Sequence, residues 1–165
     1  MDWLIPEGQL LEYTVASLVG LLVTGLAVLI HYEGVYALAR RFAGRTPRPD
    51  RGAMLLIIFA LLGLHIAEIW CYGLTYWALT RVPGAGYLHG VHSTDTVFDA
   101  IYLSATTYST VGFGDLAPVG AVRVISGLES VTGLLLITWS ASFTYLEMAR
   151  LWDRGGNGGD VGKRG

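Results

Sequence analysis

Three stretches of the chain are apolar over lengths that no ordinary buried strand needs. The first runs from Tyr13 to Ile30 without a charge, between Glu12 and Glu33. The second runs from Ala53 to about Thr80, interrupted by His65 and Glu68. The third runs from about Val122 to Met148 and carries Arg123, Glu129 and Glu147. A helix needs about 20 apolar residues to cross the bilayer core, so each stretch predicts a membrane-spanning helix. Between the second and third, Gly84 to Ser93 is rich in glycine and polar residues and predicts a loop. From Asp95 to about Tyr108 the pattern suits a short helix. Ser93 or Thr94 is placed to cap it, with Asp95 and Asp99 at the positive end of its dipole. At about 1.5 Å per residue this helix reaches only ~20 Å, too short to span. It enters the membrane and returns, an arrangement tolerated where backbone is buried in protein or lines a wet cavity.

Composition agrees with a membrane protein. The chain has 165 residues, 53% hydrophobic and 15% charged, against about 25% charged in an average soluble domain. A net charge of -2 offers no footing for nucleic acid, and the single cysteine, Cys71, cannot form a disulfide within its own chain. The first twelve residues carry Asp2, Glu7 and Glu12 and no basic residue, so the first span is not expected to be a cleaved signal peptide.

The positive charges set an orientation. Of eleven Lys and Arg, five lie in the linker after the first span (Arg40, Arg41, Arg45, Arg48, Arg51) and four follow Ala149 (Arg150, Arg154, Lys163, Arg164). Positive loops stay in the cytoplasm. The N-terminus is then outside, the linker inside, the Gly84–Pro118 region outside and the C-terminus inside a cell membrane. Trp70, Tyr72, Tyr76, Trp77 and Tyr87 cluster near the outer end of the second span, as an interfacial aromatic belt would. Pro47 and Pro49 break the linker, and the glycine-rich tail from 151 to 165 predicts disorder.

After the short helix comes Thr110-Val111-Gly112-Phe113-Gly114-Asp115. The string TVGFGD resembles the selectivity filter of potassium channels, and its setting resembles their pore module of outer helix, pore helix, filter and inner helix. The resemblance covers roughly Ala53 to Arg150 and says nothing of the first span. It implies K⁺ ligation by the carbonyls of Thr110, Val111, Gly112 and Phe113, with the Thr110 hydroxyl at the inner end. Val111 and Phe113 would point away from the axis and pack on the pore helix. Phe113 stands where the family more often has Tyr, so one hydroxyl behind the filter is missing. Asp115 would be held at the outer mouth by a pore-helix side chain, for which Tyr102 is the candidate by position.

The residue types have a physical reason of their own. A dehydrated K⁺ needs a cage of oxygens, which backbone carbonyls supply if successive ones face one axis. An extended chain alternates them. Residues with φ > 0 at intervals correct this, and glycine adopts such φ without steric cost, which suits Gly112 and Gly114. A strand from one chain leaves such a cage open, and filters of this kind use four loops, so a homotetramer with cyclic symmetry is expected.

Other residues keep more than one reading. Gly133, eighteen residues after Asp115, matches the family's inner-helix hinge approximately, and is equally a small residue for close packing on the pore helix. Ile137, Ala141 and Thr144 follow at helical spacing and line a cavity or gate, or face a neighbouring helix. Glu129, one turn before Gly133, is a structural carboxyl or a pH-sensing group bonded behind the filter near Ser109 or Thr107. His65 and Glu68 share a helix face and read as a buried pair against the first span; a metal site lacks further ligands in the sequence. His89 and His92 are placed in the outer loop.

The expected protein is therefore an all-α membrane protein with three transmembrane helices, a re-entrant pore helix and a filter. Residues 1–52 hold the extra helix and linker, 53–150 the pore module and 151–165 the tail. It conducts K⁺ passively as a homotetramer in a lipid bilayer, is not an enzyme and needs no cofactor beyond the permeant ion. The rivals are a weakly selective monovalent cation channel and a non-conducting sensor or assembly subunit.

Overall fold

The chain runs α1 (Leu10–Phe42), α2 (Arg51–Leu79), β1 (Tyr87–Gly90), α3 (Val97–Tyr108), β2 (Leu116–Val119) and α4 (Arg123–Gly156) in a computed structural model that describes residues 8–42, 51–90 and 96–156. Within α1, α2 and α4 are three helices long and apolar enough to cross a membrane. α1 and α4 outrun the stretches that hydropathy marks. α1 continues twelve residues past Ile30, and α4 extends six residues into the segment expected to be disordered. Once a helix is nucleated, each further residue adds a hydrogen bond at little cost, so polar ends still propagate. Arg45, Pro47, Arg48, Pro49, His92, Ser93, Thr94, Asp95 and residues 157–165 lie outside the described residues.

α1 packs along α2 and α4 through one stripe, Ala16, Gly20, Val23, Ala27, His31 and Val35. Steps of three and four put these on one face. Small residues there let backbones approach, which matters because lipid removes most of the hydrophobic drive between helices. The opposite face, with Leu18, Leu22 and Leu29, is exposed. The main core gathers Val23 and Ala27 of α1, Tyr72 and Tyr76 of α2, Leu103 and Tyr108 of α3, and Ile125 and Leu136 of α4. A second cluster of Val35, Ile57 and Leu61 joins α1 and α2 near their connection.

Two sequence expectations are corrected here. Tyr72 and Tyr76 are not belt residues: both are fully buried, and each hydroxyl finds a partner on another helix. Trp70 and Tyr87 remain exposed. The chain is also not purely helical. β1 and β2 pair antiparallel, with Tyr87 opposite Val119 and Gly90 opposite Leu116. The pairing closes the chain around α3 and satisfies backbone groups that loops would leave to water.

α3 begins later than its sequence suggests. Its cap is Thr96 rather than Ser93 or Thr94. The Thr96 hydroxyl accepts from the Asp99 amide at 3.2 Å, and the Asp99 carboxylate accepts from the Thr96 amide at 3.2 Å. This reciprocal box satisfies two amides that a helix start otherwise leaves open.

Candidate functional site

α3 ends at Tyr108, and Ser109 caps it. The Thr110 amide then donates to the Thr107 carbonyl at 3.0 Å, and the Gly112 amide to the Thr106 carbonyl at 3.1 Å. These bonds fold the start of TVGFGD back onto the end of the helix. Thr110, Gly112 and Gly114 all have positive φ, at 60°, 52° and 82°. Left-handed backbone thus recurs at every second residue. Gly112 and Gly114 take it freely. Thr110 does not: a β-branched residue at φ > 0 is strained, and the sequence held no sign of it.

Residues 109–115 are all exposed. Val111 and Phe113 do not pack on α3 and are 56% and 70% exposed, contrary to expectation. The reason is the lack of a covering surface. An open groove of about 320 Å³, lined by Thr107, Thr110 and Gly112 on one side and Ser126 and Ser130 on the other, separates the segment from α4. At the far end of the segment, the Tyr102 hydroxyl donates to Asp115 Oδ2 at 2.9 Å.

Two buried carboxyls hold α3 from behind. Glu129 of α4 lies 2.5 Å from the Ser104 hydroxyl and 2.7 Å from that of Tyr76. Its partners are therefore on α3 and α2, and not Ser109 or Thr107; the Ser109 hydroxyl is turned to the Ala105 carbonyl at 2.7 Å. Glu68 of α2 accepts from the Tyr108 hydroxyl and contacts His65 Nδ1 at 3.3 Å. Its other oxygen is 2.9 Å from His31 Nδ1, on α1. His31 and Glu68 are fully buried, as is Glu129. Sequence reasoning missed His31 because it lies just past the uncharged stretch. An ionisable side chain in a helix that continues to Phe42 was the signal that could have found it.

Gly133 is buried against the end of α3, and a Cβ there would collide with the Tyr108 carbonyl. Of its two readings, close packing has a direct structural counterpart. Ile137 and Ala141 are exposed on α4, and Thr144 is half-buried. His89 is exposed on β1.

Residues 52–146 match the ion channel family, more than half of the chain. The chain belongs to that family. With three helices able to span a bilayer, it is a multi-pass membrane protein whose family assigns it passive ion conduction. No match is found among curated proteins or among solved structures.

Proposed function

We propose that the chain is one quarter of a potassium-selective channel. The observation that carries this is the run of positive φ at Thr110, Gly112 and Gly114, within TVGFGD, in a member of the ion channel family. Alternating handedness turns successive carbonyls toward one side, so Thr110, Val111, Gly112 and Phe113 supply the oxygen ligands for K⁺ and Gly114 closes the strand. α3, at 12 residues and about 18 Å, is the re-entrant pore helix. Its negative end faces the ion path and favours a cation there.

The exposure of residues 109–115 fits a homotetramer, since three further copies would surround the segment. Asp115, held by Tyr102, sits at the mouth and raises the local cation concentration. On this reading residues 53–150 form the pore module and 1–52 an added helix with its linker. The N-terminus is outside and the C-terminus in the cytoplasm of a cell membrane. The protein acts as a channel and not as an enzyme.

Purified protein in liposomes tests the proposal. K⁺ flux well above Na⁺ flux, from a particle with fourfold symmetry, is the expected result. Equal K⁺ and Na⁺ flux would leave a weakly selective cation channel. No flux under any pH, voltage or tension would leave a non-conducting subunit.

A further inference from the structure

The polar cluster at the junction of α1, α2 and α3 has no part in the proposed conduction path. It contains His31 of α1, His65 and Glu68 of α2 and Tyr108 of α3. One ligand atom from each of His31, His65 and Glu68 lies within 4.8 Å of the others. His31 Nδ1 is 2.9 Å from Glu68 Oε1, His65 Nδ1 is 3.3 Å from Glu68 Oε2, and His65 Nδ1 is 2.9 Å from the Tyr108 oxygen. Donors arranged tetrahedrally around Zn²⁺ at 2.0–2.1 Å stand roughly 3.3 Å apart. The His31–Glu68 and His65–Glu68 contacts, at 2.9 and 3.3 Å, are near that spacing and use the two different carboxylate oxygens.

We propose that His31, His65 and Glu68 form a binding site for a first-row transition metal, with Zn²⁺ as the ligand that fits best and the Tyr108 oxygen as fourth donor. Two imidazoles and a carboxylate are borderline donors that favour Zn²⁺ over Mg²⁺ or Ca²⁺. A metal on Nδ1 of each imidazole leaves its ring proton on Nε2. The Nε2–H of His31 then points at the Ser140 hydroxyl, 3.3 Å away on α4, which is the outer partner that a metal-bound histidine ordinarily has. His65, at 15%, is the one of the three proposed ligands with exposed side-chain surface.

The metal would tie α1, which the family match leaves out, to the last residue of α3. The inference is independent of the channel reading, because metal content is measured on the protein whatever it conducts.

The test uses the full, untagged chain in detergent, stripped with chelator and titrated with Zn²⁺ alone. About one Zn²⁺ per chain is expected. Co²⁺ in its place is expected to give the visible absorption of a tetrahedral site, with bands that move in Tyr108→Phe. Ser140→Ala should weaken Zn²⁺ binding about 10-fold, the low end for an outer partner, and His31→Ala by more than about 100-fold. The Co²⁺ spectrum of the unaltered chain decides the matter even if the variants fail to fold. A folded, stripped protein that retains no Zn²⁺ and shows no tetrahedral Co²⁺ bands overturns the proposal. So does undiminished binding in a folded His31→Ala/Glu68→Gln variant.

Discussion

Glu129 of α4 and Ser104 of α3 are joined across 2.5 Å in the interior, and Ser104 is also 2.8 Å from the Ile69 carbonyl of α2. Both the Ile69 carbonyl and Glu129 Oε1 accept from that one hydroxyl, a shared bond of the three-centre kind. Tyr76 satisfies the other oxygen. Three helices are thus locked through one buried carboxyl, one turn before the end of α3. Glu68 likewise gathers contacts from His31, His65 and Tyr108.

Glu129→Gln should be nearly silent, because the amide keeps a partner for each of the two hydroxyls. The amide NH₂ donates to Ser104 and its carbonyl accepts from Tyr76. Glu129→Ala instead strands both hydroxyls and should cost about 1–3 kcal/mol for each group left unsatisfied. Thermal unfolding in detergent separates the two variants. Equal losses would show that a charge, and not the hydrogen-bond pattern, is what α3 requires.

Gly112→Ala should abolish K⁺ selectivity or conduction. At φ 52° an added Cβ costs about 1–2 kcal/mol locally. Among the described residues no atom lies within 4 Å of it, so the global fold should survive. The flux assay in liposomes checks this. Wild-type K⁺ over Na⁺ preference in this variant would count heavily against the filter assignment.

Tyr102→Phe removes the 2.9 Å bond to Asp115. Both residues are exposed, so the thermal midpoint should barely move while K⁺ flux falls several-fold. The bond to the Asp115 carboxylate favours the neutral phenol and pushes the Tyr102 hydroxyl above the ordinary tyrosine range. The contribution of this bond is therefore present throughout neutral pH and is lost on the alkaline side as the phenol deprotonates. A flux profile that turns over near neutrality in the wild type, and not in Tyr102→Phe, would contradict this.

Gly133→Ala drives a methyl into the Tyr108 carbonyl and should destabilise the protein by about 1–3 kcal/mol, as overpacking does. A hinge glycine would behave differently, altering opening while leaving the unfolding temperature unchanged. Thermal melts paired with flux measurements distinguish the two roles.

Hydropathy alone located three spans, because twenty or so apolar residues in a row have few other uses. Positive φ at Gly112 and Gly114 of TVGFGD was equally legible, since glycine takes left-handed backbone without steric cost. Helix ends were read less well: Thr96 displaced the two predicted caps because the reciprocal bond with Asp99 needs a spacing of three. Of the polar interior only the His65–Glu68 pair within one helix was legible, and the structure joins it at 3.3 Å and sets Glu68 against α1. Glu68 meets His31 across 37 residues and Glu129 meets Ser104 across 25, pairings that exist only once helix faces are rotated against one another. Local pattern decides what a segment is, whereas packing decides which polar groups it must satisfy, because a buried hydrogen bond is specified by position in space and not along the chain.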